Sequence, residues 1–79
     1  MVDKTKVARR VLEVTCKGAP ENVKSALHET IQLRMAVKHF GSVFVEKSAM
    51  RLAGKLNELD EKETELYSAI LPILDSCFE

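Results

Sequence analysis

The side chains able to do acid–base, nucleophilic or metal chemistry are few, and their spacing keeps them apart. His28 and His39 are the only histidines. Eleven residues separate them, close to three helical turns, so on a helix they share a face but stand about 16 Å apart and cannot ligate one metal ion together. With Cys16 and Cys77 the intervals along the chain run 12, 11 and 38, which fits no zinc finger or ribbon. A Cys16 nucleophile needs a base within hydrogen-bond reach, and only a histidine brought near by folding would supply one. No Gly-x-Ser-x-Gly elbow, glycine-rich phosphate loop or His-Glu-x-x-His pair occurs. Glu61 and Glu65 place two carboxylates one turn apart, but capping and solvation explain them better than an acid–base dyad. The expectation is a chain with no catalytic residues, no metal site and no cofactor, which works by binding.

Two constellations suit binding. Glu58, Asp60, Glu61, Glu63 and Glu65 form the densest single-sign group in the chain. Such a patch sets encounter with a protein partner, while large side chains supply the affinity; Tyr67 and Phe44 are the expected anchors. The second is basic. Ala36-Val37-Lys38-His39-Phe40-Gly41-Ser42, followed by Lys47, Ser48, Arg51 and Lys55, has the outline of a helix-turn-helix with Gly41 in the turn. Against it, Val37 stands where a small residue lets helices cross, Ser42 stands where an apolar residue plugs the turn, and Asn and Gln are scarce. The preferred function is therefore a small non-enzymatic protein-interaction module, an adaptor, inhibitor or regulator. The alternative is a dimeric DNA-binding regulator that uses the Lys47/Arg51/Lys55 helix. Free-standing helical proteins of this size are common among phage and mobile-element accessory proteins, although no motif here carries that association.

Charge sorts the chain into halves. The 12 basic and 12 acidic side chains cancel, so no whole-molecule field drives nonspecific nucleic-acid binding. Residues 1–40 hold eight basic against four acidic groups, a net +4, and residues 41–79 the reverse, −4. Opposite poles of equal size attract within one chain or between two chains. Lys6, Arg10 and Lys17 mark the basic pole.

These groups must be carried by a small frame. Seventy-nine residues fit one domain, spanning residues 1–79. The longest apolar run is Val43-Phe44-Val45, far short of a bilayer span, and the amino terminus carries no apolar stretch of a secretory signal. With two cysteines and no export signal, free thiols and a cytoplasmic location are expected, the host cytoplasm if the protein is viral.

The pattern predicts an all-α fold: a compact bundle of three to four short helices ending in an antiparallel hairpin. The first helix starts with a cap at Asp3 or Thr5, faces its core with Val7, Val11 and Val14, and stops at Gly18. The second takes Pro20 as its first residue. It carries one ridge of Val23, Leu27 and Ile31 and another of Ala26, Leu33, Val37 and Phe40. So wide an apolar arc marks a helix contacted on two sides, the central one. The third is capped by Ser42 and buries Val45, Ala49, Leu52, Leu56 and Leu59. The fourth opens with a capping box at Asp60-Glu61-Lys62-Glu63 and buries Leu66, Ile70, Ile73, Leu74 and Cys77, with a kink or early end at Pro72. Leu52 and Leu56 are expected to face Ile70 and Leu74. A homo-oligomer is expected to cover surplus apolar surface on the second helix and at Leu71, Leu74 and Phe78.

Overall fold

The computed structural model describes residues 4–15, 17–39 and 41–78. Four helices account for most of them: α1 (Lys4–Thr15), α2 (Glu21–His39), α3 (Ser42–Asn57) and α4 (Glu61–Ser76). No strand occurs among the described residues. The expected capping side chains of Asp3 and Thr5, the Cys16 thiol and Phe40 lie outside what is described.

Local chemistry sets the ends. At α4, Asp60 Oδ1 accepts from the Glu63 amide at 2.8 Å and Glu63 Oε1 accepts from the Asp60 amide at 3.0 Å, the reciprocal box its sequence predicts. Thr64 adds a third tie, its hydroxyl donating to the Asp60 carbonyl at 2.8 Å. Gly18 adopts φ 83° after α1, a left-handed conformation that lets the chain turn away at no steric cost. Two starts shift by one residue. Pro20 sits before α2 and its carbonyl accepts from the Val23 and Lys24 amides, both at 3.1 Å. Gly41, not Ser42, caps α3. It has no side chain to offer, so the start is held by its carbonyl, which accepts from Phe44 and Val45 at 3.1 and 3.2 Å. The helix does not end early at Pro72: α4 runs on to Ser76. The ring lies on the exposed side, where the Ser68 carbonyl, which loses its amide partner to proline, is free to meet water.

Packing is organised by α2, which contacts α1, α3 and α4, as its wide apolar arc predicts. Val23, Leu27 and Ile31 are wholly buried. They join Ala8 and Leu12 of α1 and Tyr67, Ile70 and Leu74 of α4 in one cluster. α1 presents a different face from the expected one. Ala8 and Leu12 point inward, while Val7 is 40% and Val14 71% exposed. Small Ala8 allows a close approach that a valine ridge would block, and Val11 falls at the edge of the contact. On α4, Ile73 likewise turns outward at 44% exposure.

The largest departure concerns α3. Its principal partner is α2, and it does not pair lengthwise with α4. Leu52 and Leu56 are therefore only half-buried: Leu56 still packs against the α1–α2–α4 cluster that holds Ile70 and Leu74, while Leu52 stands apart from it. α1 ends beside the start of α2, where Leu12 and Glu13 share a hollow with Lys24 and His28, and α3 begins one short link after α2 and pairs with it extensively, so α2 runs against both α1 and α3. Two contacts give the sense of α4. Thr30 meets Tyr67 and Arg34 meets Asp75, advancing together, so α4 runs with α2 and against α3.

The result is a slab, with Cα extents of 33 × 27 × 16 Å. The short dimension holds about one interhelical spacing of 8–10 Å plus the Cα radii. The surface, 5434 Å², exceeds the roughly 4,800 Å² usual for a folded monomer of this mass.

A buried polar contact crosses between α2 and α4. The Thr30 hydroxyl donates to the Ala26 carbonyl at 2.8 Å and sits 2.8 Å from the Tyr67 hydroxyl. With its single proton committed to Ala26, Thr30 accepts and Tyr67 donates. Two stability measurements check this arrangement by chemical denaturation. Ile70→Ala should cost about 2–5 kcal/mol and Val14→Ala no more than about 0.5 kcal/mol. Tyr67→Phe should cost about 0.5–1.5 kcal/mol, because Thr30 keeps its bond to Ala26 and is not left unsatisfied.

Candidate functional site

The separation of α3 from α4 opens a groove floored by α2. Thr30, Leu33, Arg34 and Val37 form its floor, Val45, Ala49 and Leu52 one wall, and Tyr67 and Leu71 the other. The concavity measures about 420 Å³. Its lining is apolar apart from the Thr30–Tyr67 hydroxyl pair and Arg34, whose Nη2 lies 2.6 Å from Asp75 Oδ1. That ion pair ties α2 to α4, with Arg34 46% and Asp75 35% exposed. Val37 is 62% exposed at the floor, although the sequence places it on an inward ridge. Its exposure follows from α4 standing clear of α3.

The acidic group lies elsewhere. Glu58, Asp60, Glu61, Glu63 and Glu65 cluster at the α3–α4 corner. Asp60 and Glu63 are engaged in the capping box, and Glu58, Glu61 and Glu65 project from exposed positions. The expected anchors are not beside them as surface groups. Tyr67 is 7% exposed, its ring in the core and its hydroxyl on Thr30. Phe44 is 57% exposed but near the far end of α3. Fourteen residues of helix separate it from Glu58, about 21 Å at 1.5 Å per residue.

The basic residues proposed for nucleic acid divide by burial. Lys47 and Arg51 are exposed and Lys55 is half-buried, while Ser48 is buried at 8% exposure. α2 and α3 pair extensively, which differs from the steep crossing of a helix-turn-helix.

The histidines sit on exposed positions of the unbroken helix α2. Among the described residues no three His, Cys, Asp or Glu side chains come together as metal ligands would. Cys77 carries a free thiol, half-buried, whose sulfur donates to the Ile73 carbonyl at 3.6 Å. Among the described residues no helix is long and apolar enough to cross a membrane.

The groove is the feature that reading by single helices misses. Its wall residues Val45, Ala49 and Leu52 appear in sequence as an ordinary buried stripe. Only the absence of a facing helix turns them into a surface. No protein-family model, curated protein or solved structure matches this chain.

Proposed function

We propose that the protein is a non-enzymatic interaction module, an adaptor, inhibitor or regulator, that receives one apolar stripe of a partner helix in the groove between α3 and α4. The observation that supports this reading is the groove itself. Two helix walls stand apart over a floor of Leu33 and Val37, and nothing in the described chain fills the space. Helix-in-groove recognition needs a concave apolar channel that accepts side chains at i, i+3 or i+4, and i+7. A volume of about 420 Å³ takes a few aliphatic side chains from such a stripe. Arg34 and Asp75 add a polar mark at the floor and α4 wall, suited to fixing the register of the incoming helix.

The reading assigns different work to the residues that drew attention in sequence. Tyr67 contributes its buried edge to a wall and its hydroxyl to the floor, so it shapes the groove instead of protruding as an anchor. The acidic corner lies outside the groove lining and acts by charge at a distance.

Ala49→Arg tests the proposal, because Ala49 is an exposed wall residue and the substitution fills the groove without emptying the core. Wild-type and variant chains are used as bait against native host extract, and each candidate is then purified and titrated against both. The expected outcome is a loss of at least about tenfold in affinity for the variant, or 1.4 kcal/mol, with an unchanged unfolding midpoint. Methyl resonances of Leu33, Val45 and Leu71 should shift on binding. A partner that binds both proteins equally, with shifts elsewhere, would place the interface outside the groove.

A further inference from the structure

The two charge poles lie at the same end of the slab. α1 and α2 run in opposite senses, as do α2 and α3, and α4 runs with α2. The α1–α2 turn and the α3–α4 turn therefore both sit where α2 begins. The first is basic and concave. Between α1 and α2 a hollow of about 290 Å³ is lined by Leu12, Glu13, Lys17, Gly18, Lys24 and His28. The second is acidic and convex, with Glu58, Glu61 and Glu65 exposed around the α4 cap.

We propose that two copies of this chain associate end to end, the basic hollow of each receiving the acidic corner of the other. Three observations support a second copy as the occupant. The hollow carries Lys17 and Lys24 against Glu13 alone, and the corner exposes Glu58, Glu61 and Glu65, so the two are opposite in charge. Among the described residues they do not satisfy each other: no ion pair joins Lys17 or Lys24 to Glu58, Glu61 or Glu65. Lys24 has instead a 3.7 Å contact with Glu21, one turn away and 87% exposed, and Glu13 has a 3.9 Å contact with Arg10. Such exposed one-turn pairs are weak and readily exchanged. Each chain also carries both halves of the contact at one end. A two-fold axis then makes two reciprocal contacts at once and closes the assembly as a dimer instead of an open chain. The summed charge of zero removes the overall repulsion that two like-charged copies would feel.

The groove points the other way. Its floor runs from Thr30 to Val37, toward the carboxyl end of α2, so an end-to-end dimer leaves both grooves open. The proposal therefore stands or falls separately from the function proposed above.

An interface held mainly by charge is weak and responds to salt. Sedimentation equilibrium of the full chain, at high micromolar to millimolar concentration, should show a monomer–dimer equilibrium whose dissociation constant rises at least about tenfold between about 0.05 M and about 0.5 M salt. The decisive arm uses two charge-reversed proteins. One carries Lys17→Glu with Lys24→Glu. The other carries Glu58→Lys with Glu65→Lys, which spares the Asp60–Glu63 box and the first turn of α4. Circular dichroism confirms that both fold, and Glu58→Gln with Glu65→Gln serves as a neutral replacement if the lysine version does not. Each reversed protein alone should be monomeric, and an equimolar mixture should form the heterodimer, because reversal on both sides restores opposite charges. A wild-type monomer at millimolar concentration in low salt overturns the proposal. So does a dimer indifferent to salt and to both reversals, and one abolished by Ala49→Arg instead would place the second copy in the groove.

Discussion

Every other helix of this protein packs on α2, and the rest of the structure follows from that dependence. A helix of 19 residues cannot be covered all round by three shorter ones in a slab only 16 Å thick. Its amino-terminal half is enclosed, with Val23, Ala26 and Leu27 shut off from water by α1 and α4. Its carboxyl-terminal half is covered by α3 along one side and left open along another. The buried contact of Thr30 with Tyr67 falls where the two regimes meet. Before it in chain order the helix belongs to the core; beyond it Ile31 and Ala36 remain buried while Leu33, Arg34 and Val37 floor the groove. A buried hydroxyl pair suits that boundary, because it requires a defined geometry between α2 and α4 that apolar packing alone does not impose.

Much of this was legible in the sequence because it is local. The Asp60 box is written in four consecutive residues, and the breadth of the apolar arc on α2 is a property of one helix. The rotation of α1 is not of that kind. Val7, Val11 and Val14 satisfy the helical spacing as well as Ala8 and Leu12 do, and hydrophobicity favours the valines. The close approach available at Ala8 decides the matter, and that depends on where α2 and α4 lie. The fate of Tyr67 is decided the same way: an aromatic beside an acidic stretch reads as an anchor until Thr30, 37 positions away, takes its hydroxyl. The groove is further still from the sequence, since it arises from a pairing that α3 and α4 do not make.

Surface chemistry divides along the length of the slab. The links at 17–20 and 58–60 gather ionic groups at one end, and the groove toward the other gathers Val37, Val45 and Leu71. Charge acts over a Debye length of about 8 Å at physiological salt and sets which surfaces meet. Apolar contact acts only where surfaces touch and sets how long they stay. Separating the two would let the proposed interaction module steer at one end and hold at the other.

The one-sided attachment of α3 bears on how the molecule comes apart. α1, α2 and α4 share a core, whereas α3 adds Leu56, half-buried against that core, and one buried side chain, Ser48 at 8% exposure. Its cap at Gly41 adds no side-chain hydrogen bond. α3 is thus held chiefly through α2, with which it makes the most extensive helix pair of the fold. Opening of α3 uncovers the face of α2 that it packs on, so the amides of both helices there should exchange with solvent together. One wall of the groove and its floor therefore move as a single packed unit, and the gap left to α4 sets how wide the groove stands.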